Sequence, residues 1–262
     1  MLSFNEKILR VELIHPHFAN SAKVDQLKRS LAREKERFGA TRAVLRVLTE
    51  KPFGDEQFEL EAKIRVPGGN IAIFGFNDSS RFPSPDTVRQ ETAYLARVVG
   101  TQRRTASRDL EIRRLEANRR VAEELESLYA DTYSDYPKPL TTTTILKLLQ
   151  DSIPYAVFEN GRMVSVLFGE ITEFEDVHVI ELTYSATVPL KRGIGMTVAL
   201  ANKIGEEAEY RFHKLGIFAE TIAGPVMRSC HDFGMTYQGL LREHYRIAIG
   251  DRLFTNLYLW SF

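Results

Sequence analysis

The stretch TVPLKRGIGMTVAL, residues 187–200, joins the end of an apolar run to the start of a helical pattern. We interpret it as a junction at which a β-strand ends and an α-helix begins. The first N–H groups of a helix have no partner within the helix and carry partial positive charge, so they favour a bound phosphate. Gly193 and Gly195 would let such a group approach the backbone closely, and Lys191 and Arg192 add positive charge. The alternative interpretation is a tight turn with two solvated cations.

The composition is that of a globular protein with a sizeable core, since 44% of the 262 residues are hydrophobic. The formal net charge is +0, so no overall field attracts nucleic acid or an anionic membrane. A single cysteine, Cys230, excludes an intramolecular disulfide and a metal site built from several cysteines, and the six histidines lack the spacing of a metal motif. The sequence has neither a signal-peptide pattern nor an apolar run of about 18 residues, so we expect a cytoplasmic protein. From the cysteine and histidine pattern we also expect no bound metal.

The first half is predicted to combine strands with one helix. Alternating apolar residues predict strands over 9–15 and 41–48, and helical spacing predicts a helix over 21–39. Two apolar runs within 58–76 flank Pro-Gly-Gly-Asn and predict a hairpin, because glycine tolerates the positive φ angles of a tight turn. Residues 101–129 are rich in arginine and glutamate. We interpret them as a salt-bridged helical connector, the alternative being an arginine patch that binds an anionic partner.

The second half gives a clearer pattern of alternating strands and helices. Besides the helix after residue 195, we predict a helix broken at 136–139, a short helix over 141–150, a hairpin over 153–171 with an Asn-Gly turn, strands over 177–188 and 215–223, a short helix over 224–234 and two final strands. Together these elements predict an α/β (α+β) fold in which helices flank one mostly antiparallel central sheet.

The glycine-rich junction resembles a known phosphate-binding loop. Arg192-Gly193-Ile194-Gly195-Met196-Thr197, preceded by Thr187-Val188-Pro189, is similar to the Arg/Gln-x-x-Gly-x-Gly/Ala loop of the GNAT superfamily of acyl-CoA-dependent N-acyltransferases. The last position departs from that pattern, because Thr197 stands where glycine or alanine is usual. The resemblance implies acetyl-CoA as acyl donor. Its implied binding residues are Thr187, Val188, Arg192, Gly193, Ile194, Gly195, Met196 and Thr197.

Further segments resemble the beta-lysine N-acetyltransferase family, which has a smaller amino-terminal half before its GNAT domain. They are FELEAKIRVPGGNIAIFGFND (58–78), LYADTYSDYPKP (128–139), ATVPLKRGIG (186–195), FGMTYQGLL (233–241) and NLYLW (256–260). The resemblance implies a truncated GNAT-like subdomain over 1–98 that lacks a phosphate loop, a charged helical connector over 99–115 and a GNAT acyltransferase domain over 116–262. It also implies transfer of acetyl to the amine of a small diamino acid.

Candidate catalytic residues follow from what acyl transfer to an amine requires. The amine arrives protonated and must lose a proton before it attacks the thioester. Glu181, in the strand that leads to the loop, is the candidate base, acting directly or through a water, and Glu170, Glu220 and His178 are its competitors. The departing thiolate needs a proton or a hydrogen bond. His231 stands where the resembled pattern places a tyrosine for this task.

Other departures concern the acceptor and the retention of activity. Met227 replaces an asparagine that is common on the short helix, and Tyr184 replaces an acidic residue of the beta-lysine family. Tyr184 and Tyr136 are the candidate acceptor-binding residues, and Cys230 is interpreted as a buried residue because direct transfer needs no nucleophile. We expect a small-molecule amine as the partner, with no nucleic acid or membrane and with a homodimer left open. The alternatives are an inactive GNAT-like binding module and an acyltransferase that uses a longer acyl-CoA.

Overall fold

The computed structural model describes residues 1–5, 10–50, 52, 54–78, 83–105, 109–133, 140–245 and 255–262. The strands in this part of the chain are β1 (Leu2–Asn5), β2 (Arg10–Phe18), β3 (Arg42–Thr49), β4 (Glu59–Val66), β5 (Gly69–Asn77), β6 (Glu111–Arg114), β7 (Ser152–Glu159), β8 (Arg162–Phe174), β9 (Val177–Thr187), β10 (Leu215–Thr221), β11 (Thr236–Tyr245) and β12 (Thr255–Ser261). The helices are α1 (Ser21–Arg37), α2 (Pro85–Val99), α3 (Arg119–Thr132), α4 (Thr142–Asp151), α5 (Met196–Arg211) and α6 (Pro225–Phe233).

Turn and cap residues form the local structure that their chemistry predicts. Asn160 and Gly161 have φ angles of 51° and 76°, so both central residues of the β7–β8 turn are left-handed, as a two-residue hairpin requires. Gly68, with φ of 88°, turns the β4–β5 hairpin. The side chain of Asn20 caps α1 by accepting from the Lys23 N–H, so the cap lies one residue before the serine at which the predicted helix starts.

One twelve-stranded sheet runs through the chain in the order β1-β2-β3-β5-β4-β11-β12-β10-β9-β8-β7-β6. Only β2–β3 and β9–β10 pair in parallel among the described strands. The predicted α/β fold with a mostly antiparallel sheet is therefore confirmed. The first half of the sheet has the order β1-β2-β3-β5-β4. Read in the opposite direction along the sheet, the second half has the same arrangement, β8-β9-β10-β12-β11.

The two halves of the sheet join where Gly239 of β11 pairs with Ala62 of β4. A Cβ on residue 239 would lie 2.1 Å from the carbonyl oxygen of Glu61, so only glycine permits this close approach. The division of the chain into domains at 98 and 116 stays a prediction, since the sheet itself is continuous.

Helices cover both halves unevenly. In the first half α1 packs on one face, over a core that includes Leu31, Leu45 and Phe74. In the second half α5 and α6 lie on one face of β8–β10, and α3 and α4 lie on the other face over β7–β9. The remaining face of the first half packs against β8–β10 around Phe174 and Phe218. The sheet therefore curls, and the two halves face each other across a cavity.

The predicted helical connector over 101–129 is wrong as one continuous helix. Gly100 ends α2, residues 111–114 form strand β6 on the sheet edge beside β7, and α3 begins at Arg119. Four arginines of this region form salt bridges, and these are Arg104 with Asp232, Arg113 with Glu111, Arg114 with Glu207 and Arg119 with Glu123. These pairs agree with the salt-bridged interpretation, and the arginine-patch alternative stays open. Among the described residues, no helix has the length and apolar character needed to cross a membrane.

Candidate active site

Strands β9 and β10 part in the middle of the sheet. Residues 178–181 of β9 pair in parallel with residues 215–218 of β10. Both strands continue beyond Glu181 and Phe218, but they no longer pair with each other there. β9 also carries a bulge, because the register with β8 shifts between Thr183 and Ala186. Within the bulge Tyr184 has a φ of 49°. A bulge bends its strand, so a gap opens between β9 and β10.

A cavity of about 640 Å³ passes through this gap and reaches both faces of the sheet. Its wall on the α5–α6 face includes Thr197, Ala201, Val226, Ser229, Cys230 and Phe233. Its wall on the opposite face includes Glu170, Glu181 and Glu220 from the second half, with Arg10, Glu12 and Arg46 from the first half. The cavity therefore connects the start of α5 with a charged chamber between the two halves.

The start of α5 presents open backbone N–H groups. Gly195, with φ of 83°, precedes the helix without a side-chain cap, and the first internal bond joins the Ala199 N–H to the Gly195 carbonyl. Met196, Thr197 and Val198 therefore have no acceptor within α5 for their N–H groups. Gly193 has φ of 88°, and a Cβ there would meet no atom within 4 Å. This geometry suits an anion that bears several oxygens.

The two cations that the sequence places in this loop point to different partners. Lys191 pairs with Glu159 at 2.6 Å, on the outer side of the loop. Arg192 donates from Nε to the carbonyl of Thr187 at 3.2 Å, beside the end of β9. The structure thus places Thr187 and Arg192 together just before α5, and Thr197 in the first turn of α5 lines the cavity.

Two carboxylates face each other on the cavity wall. Glu170 of β8 and Glu181 of β9 are directly opposite in the antiparallel ladder, so their side chains share one face of the sheet. Both line the cavity beside the gap. Two of the three competitors for the base role have other partners, because Glu220 accepts from Arg46 at 2.7 Å and the His178 ring stacks on Phe212 at 4.1 Å, whereas Glu170 shares the cavity wall with Glu181.

Helix α6 turns a different face to the cavity than the sequence predicts. Val226, Ser229, Cys230 and Phe233 line the cavity at i, i+3, i+4 and i+7 spacing, and His231 is not among the lining residues. The imidazole of His231 lies beside the backbone of Val99 instead, and its buried Nδ1 has no hydrogen-bond partner among the described residues. Burial lowers its pKa, and the nearby guanidinium groups of Arg103 and Arg228 lower the pKa further. The assignment of His231 as proton donor therefore stays a prediction from the resemblance, without support from its position.

The structure gives Cys230 and Tyr184 largely structural surroundings. Burial raises the pKa of the Cys230 thiol to about 12, so this side chain stays protonated, in agreement with its interpretation as a buried residue. The Tyr184 ring borders the cavity but is only 5% exposed and packs edge-on against Phe168. Its acceptor-binding role stays a prediction. Tyr136 lies outside the described residues.

The sequence interpretation did not find the cavity residues that the first half supplies. Glu12 lies on β2 and Arg46 on β3, and Arg46 bonds Glu12 and Glu220 at 2.7 Å each. Burial alone would raise the pKa of Glu12, but Arg10 and Arg46 outweigh it and lower that pKa to about 2. A signal was present, because both residues are charges that interrupt strongly apolar strands.

No protein-family model and no curated protein matches this sequence. Solved structures similar to the chain are acetyltransferases. An N-acetyltransferase from Staphylococcus aureus Mu50 is 15% identical, covers 58% of this chain and 96% of its own, and gives a TM-score of 0.47. A Drosophila melanogaster polyamine N-acetyltransferase is 9% identical, covers 59% of this chain and 99% of its own, and gives a TM-score of 0.47. Arabidopsis thaliana Naa50, in complex with the bisubstrate analogue CoA-Ac-MVNAL, is 14% identical, covers 57% of this chain and 97% of its own, and gives a TM-score of 0.46. At these identities and TM-scores the likeness assigns no activity to this chain.

Proposed function

We propose that the chain is a GNAT-type N-acyltransferase that transfers acetyl from acetyl-CoA to the amine of a small molecule. One observation carries the proposal. A cavity runs through the gap between β9 and β10, from Thr197 in the first turn of α5 to the carboxylates Glu170 and Glu181. The proposed anion-binding loop and the candidate base would thus border one passage, as acyl transfer from a phosphate-bearing donor requires.

The donor would lie along the loop and β9. The pyrophosphate would accept from the backbone N–H groups that follow Gly193, with Thr187, Val188, Arg192, Ile194 and Thr197 around it. Beyond Glu181 the β9 edge is not paired with β10, so the amide groups of the pantetheine arm can hydrogen-bond to that edge. The thioester then reaches the gap from the α5–α6 face.

The chemistry would take place in the gap. Glu181 accepts a proton from the acceptor ammonium, and the free amine attacks the thioester carbonyl. The new C–N bond forms, the C–S bond breaks, and the sulfur leaves as a thiolate, which takes up the proton that the nitrogen loses as it becomes an amide. Ser229 is the hydroxyl that α6 presents to the cavity, so we assign to it the hydrogen bond to the departing sulfur that the sequence assigned to His231.

Replacing Ser229 with alanine should lower kcat by about 10- to 100-fold, because a hydrogen bond to a charged group contributes about 1.5–3 kcal/mol. The dissociation constant of acetyl-CoA should not change. The matched variant is His231→Gln, which alters the same helix on the face turned away from the cavity. Steady-state thiol release measures both variants. A larger loss of kcat in His231→Gln than in Ser229→Ala would return the assignment to His231.

The acceptor is proposed to be small and to carry more positive than negative charge. The first half closes the chamber on one side, since the Phe18 N–H donates to Glu175 at 2.6 Å and Arg46 bonds Glu220 at 2.7 Å. The charged side chains on the cavity wall are five carboxylates against two guanidinium groups: Glu12, Asp151, Glu170, Glu181, Glu220, Arg10 and Arg46. A diamino acid, with two ammonium groups and one carboxylate, fits this balance.

A thiol-release screen tests the proposed function directly. Acetyl-CoA is offered with monoamines, diamines, amino acids and diamino acids, and calorimetry measures acetyl-CoA binding in parallel. We expect saturable binding and release of CoA with a cationic acceptor. Binding without release for any amine would favour the inactive binding module, and faster release from longer acyl-CoA donors would favour the longer-chain enzyme. No affinity for acetyl-CoA or CoA would refute the proposal.

A further inference from the structure

We infer that Arg46, in the amino-terminal half, binds the carboxylate of the acceptor. This inference rests on the proposed function, because it concerns the acceptor end of the same cavity. It assigns to the amino-terminal half the selection between amines that carry a carboxylate and amines that do not. The residues that hold the donor belong to the other half.

The guanidinium group of Arg46 is fixed in place with part of it open to the cavity. Nε donates to Glu12 and Nη2 donates to Glu220, both at 2.7 Å. A guanidinium group has five N–H donors, and the Nη1 nitrogen takes part in neither of these bonds. The side chain is 12% exposed and lines the cavity. Two fixed bonds and an open donor nitrogen make a preorganised site for an oxygen anion, since little rotamer freedom is left to lose.

The charges around Arg46 permit one more carboxylate. Burial alone would lower the pKa of Arg46, but Glu220, Glu12 and Glu181 hold it well above its usual value, so the group stays charged. Arg10 pairs with Glu12 at 3.1 Å. The two arginines therefore balance Glu12 and Glu220, and the ammonium group of the acceptor would balance Glu181, the third carboxylate that acts on Arg46.

Arg46 lies close to the candidate base. Its guanidinium carbon is 5.9 Å from the centre of the Phe218 ring, and Phe218 is the residue opposite Glu181 in the parallel ladder. Neighbouring strands are about 4.8 Å apart. An acceptor that places an ammonium at Glu181 and a carboxylate at Arg46 therefore spans a short distance, which the backbone and side chain of one amino acid can cover.

The first test compares pairs of amines that differ only in the carboxylate. Lysine is compared with cadaverine and ornithine with putrescine, by calorimetry on the CoA-saturated wild-type protein and by thiol release from acetyl-CoA. We expect the amino acid of at least one pair to bind at least about 10-fold more tightly, as a charged hydrogen bond at Arg46 would provide. Equal binding within both pairs, or tighter binding of the diamines, overturns the inference. Thiol release with the diamines would still uphold the acyltransferase, so the two failures are distinguishable.

The second test removes the guanidinium group. Arg46→Gln should reduce the preference for lysine over cadaverine at least about 10-fold, with the acetyl-CoA affinity retained. The matched control is Arg42→Gln, because Arg42 lies on the same strand, is fully buried and pairs with Glu61, but does not line the cavity. It loses a buried ion pair and should keep the preference. An unchanged preference in Arg46→Gln, or an equal loss in Arg42→Gln, overturns the inference, and the wild-type comparison decides if Arg46→Gln does not fold.

Discussion

Replacing Glu181 with glutamine is expected to lower kcat by at least about 100-fold, because general bases contribute about 100- to 10,000-fold to proton-transfer reactions. Glutamine keeps the size of the side chain and cannot accept the proton of the ammonium group. Binding of acetyl-CoA depends on the loop after Thr187 and should stay unchanged by calorimetry. Single-turnover measurement of thiol release, with acetyl-CoA and the best acceptor of the screen, gives the comparison.

The matched control for this variant is Glu170→Gln. Glu170 is the residue directly across the ladder from Glu181 and lines the same cavity, so both variants remove one negative charge from the same place. If Glu181 is the base, Glu170→Gln should mainly raise the KM of the acceptor, while Glu181→Gln lowers kcat. The base role would be excluded if the kcat of Glu181→Gln stayed within about 3-fold of the wild-type value, because a general base contributes much more than that.

Replacing Gly193 with valine is expected to abolish measurable acetyl-CoA binding or weaken it at least about 30-fold, the loss of roughly 2 kcal/mol of charged hydrogen bonds. Gly193 has φ of 88°, and the space where its Cβ would stand is open. In the proposed complex that space is occupied by the pyrophosphate, so a branched side chain would displace it. Calorimetry with acetyl-CoA and with CoA measures the effect.

The matched control for backbone strain is Gly161→Val, which introduces the same strain away from the proposed phosphate site. Gly161 has φ of 76° and likewise no atom within 4 Å of an added Cβ, but it lies in the β7–β8 turn. Each valine should cost about 2 kcal/mol of stability, because a residue other than glycine is forced into a left-handed conformation. Only Gly193→Val should affect acetyl-CoA. Equal losses of binding in the two variants would show that strain, and not the phosphate site, is responsible.

The elements that depend on local chemistry could be predicted from the sequence. The Asn160-Gly161 turn, the short helix that follows Thr141 and the glycines before α5 depend on interactions within a few residues, so they can be inferred without the fold. Strand β6 was missed because its four residues, Glu-Ile-Arg-Arg, have an apolar content too low for a strand signal, and pairing with β7 holds it in place.

The candidate site could be predicted only where one segment builds it. The loop after Thr187 is such a segment. The face that α6 turns to the cavity depends on how that helix packs beside α2, so sequence spacing could not distinguish Ser229 from His231. The bond between Arg46 and Glu220 joins residues 174 positions apart, and it forms only because the sheet curls.

The passage through the sheet also has a consequence for the order of events during turnover. Donor and acceptor would enter from opposite faces and meet only at the gap between β9 and β10, so neither has to leave before the other arrives. With Cys230 held as a thiol, an acyl-enzyme intermediate at that residue is disfavoured. The kinetics should therefore be sequential: initial-velocity lines for the two substrates intersect, and a ternary complex precedes the release of either product.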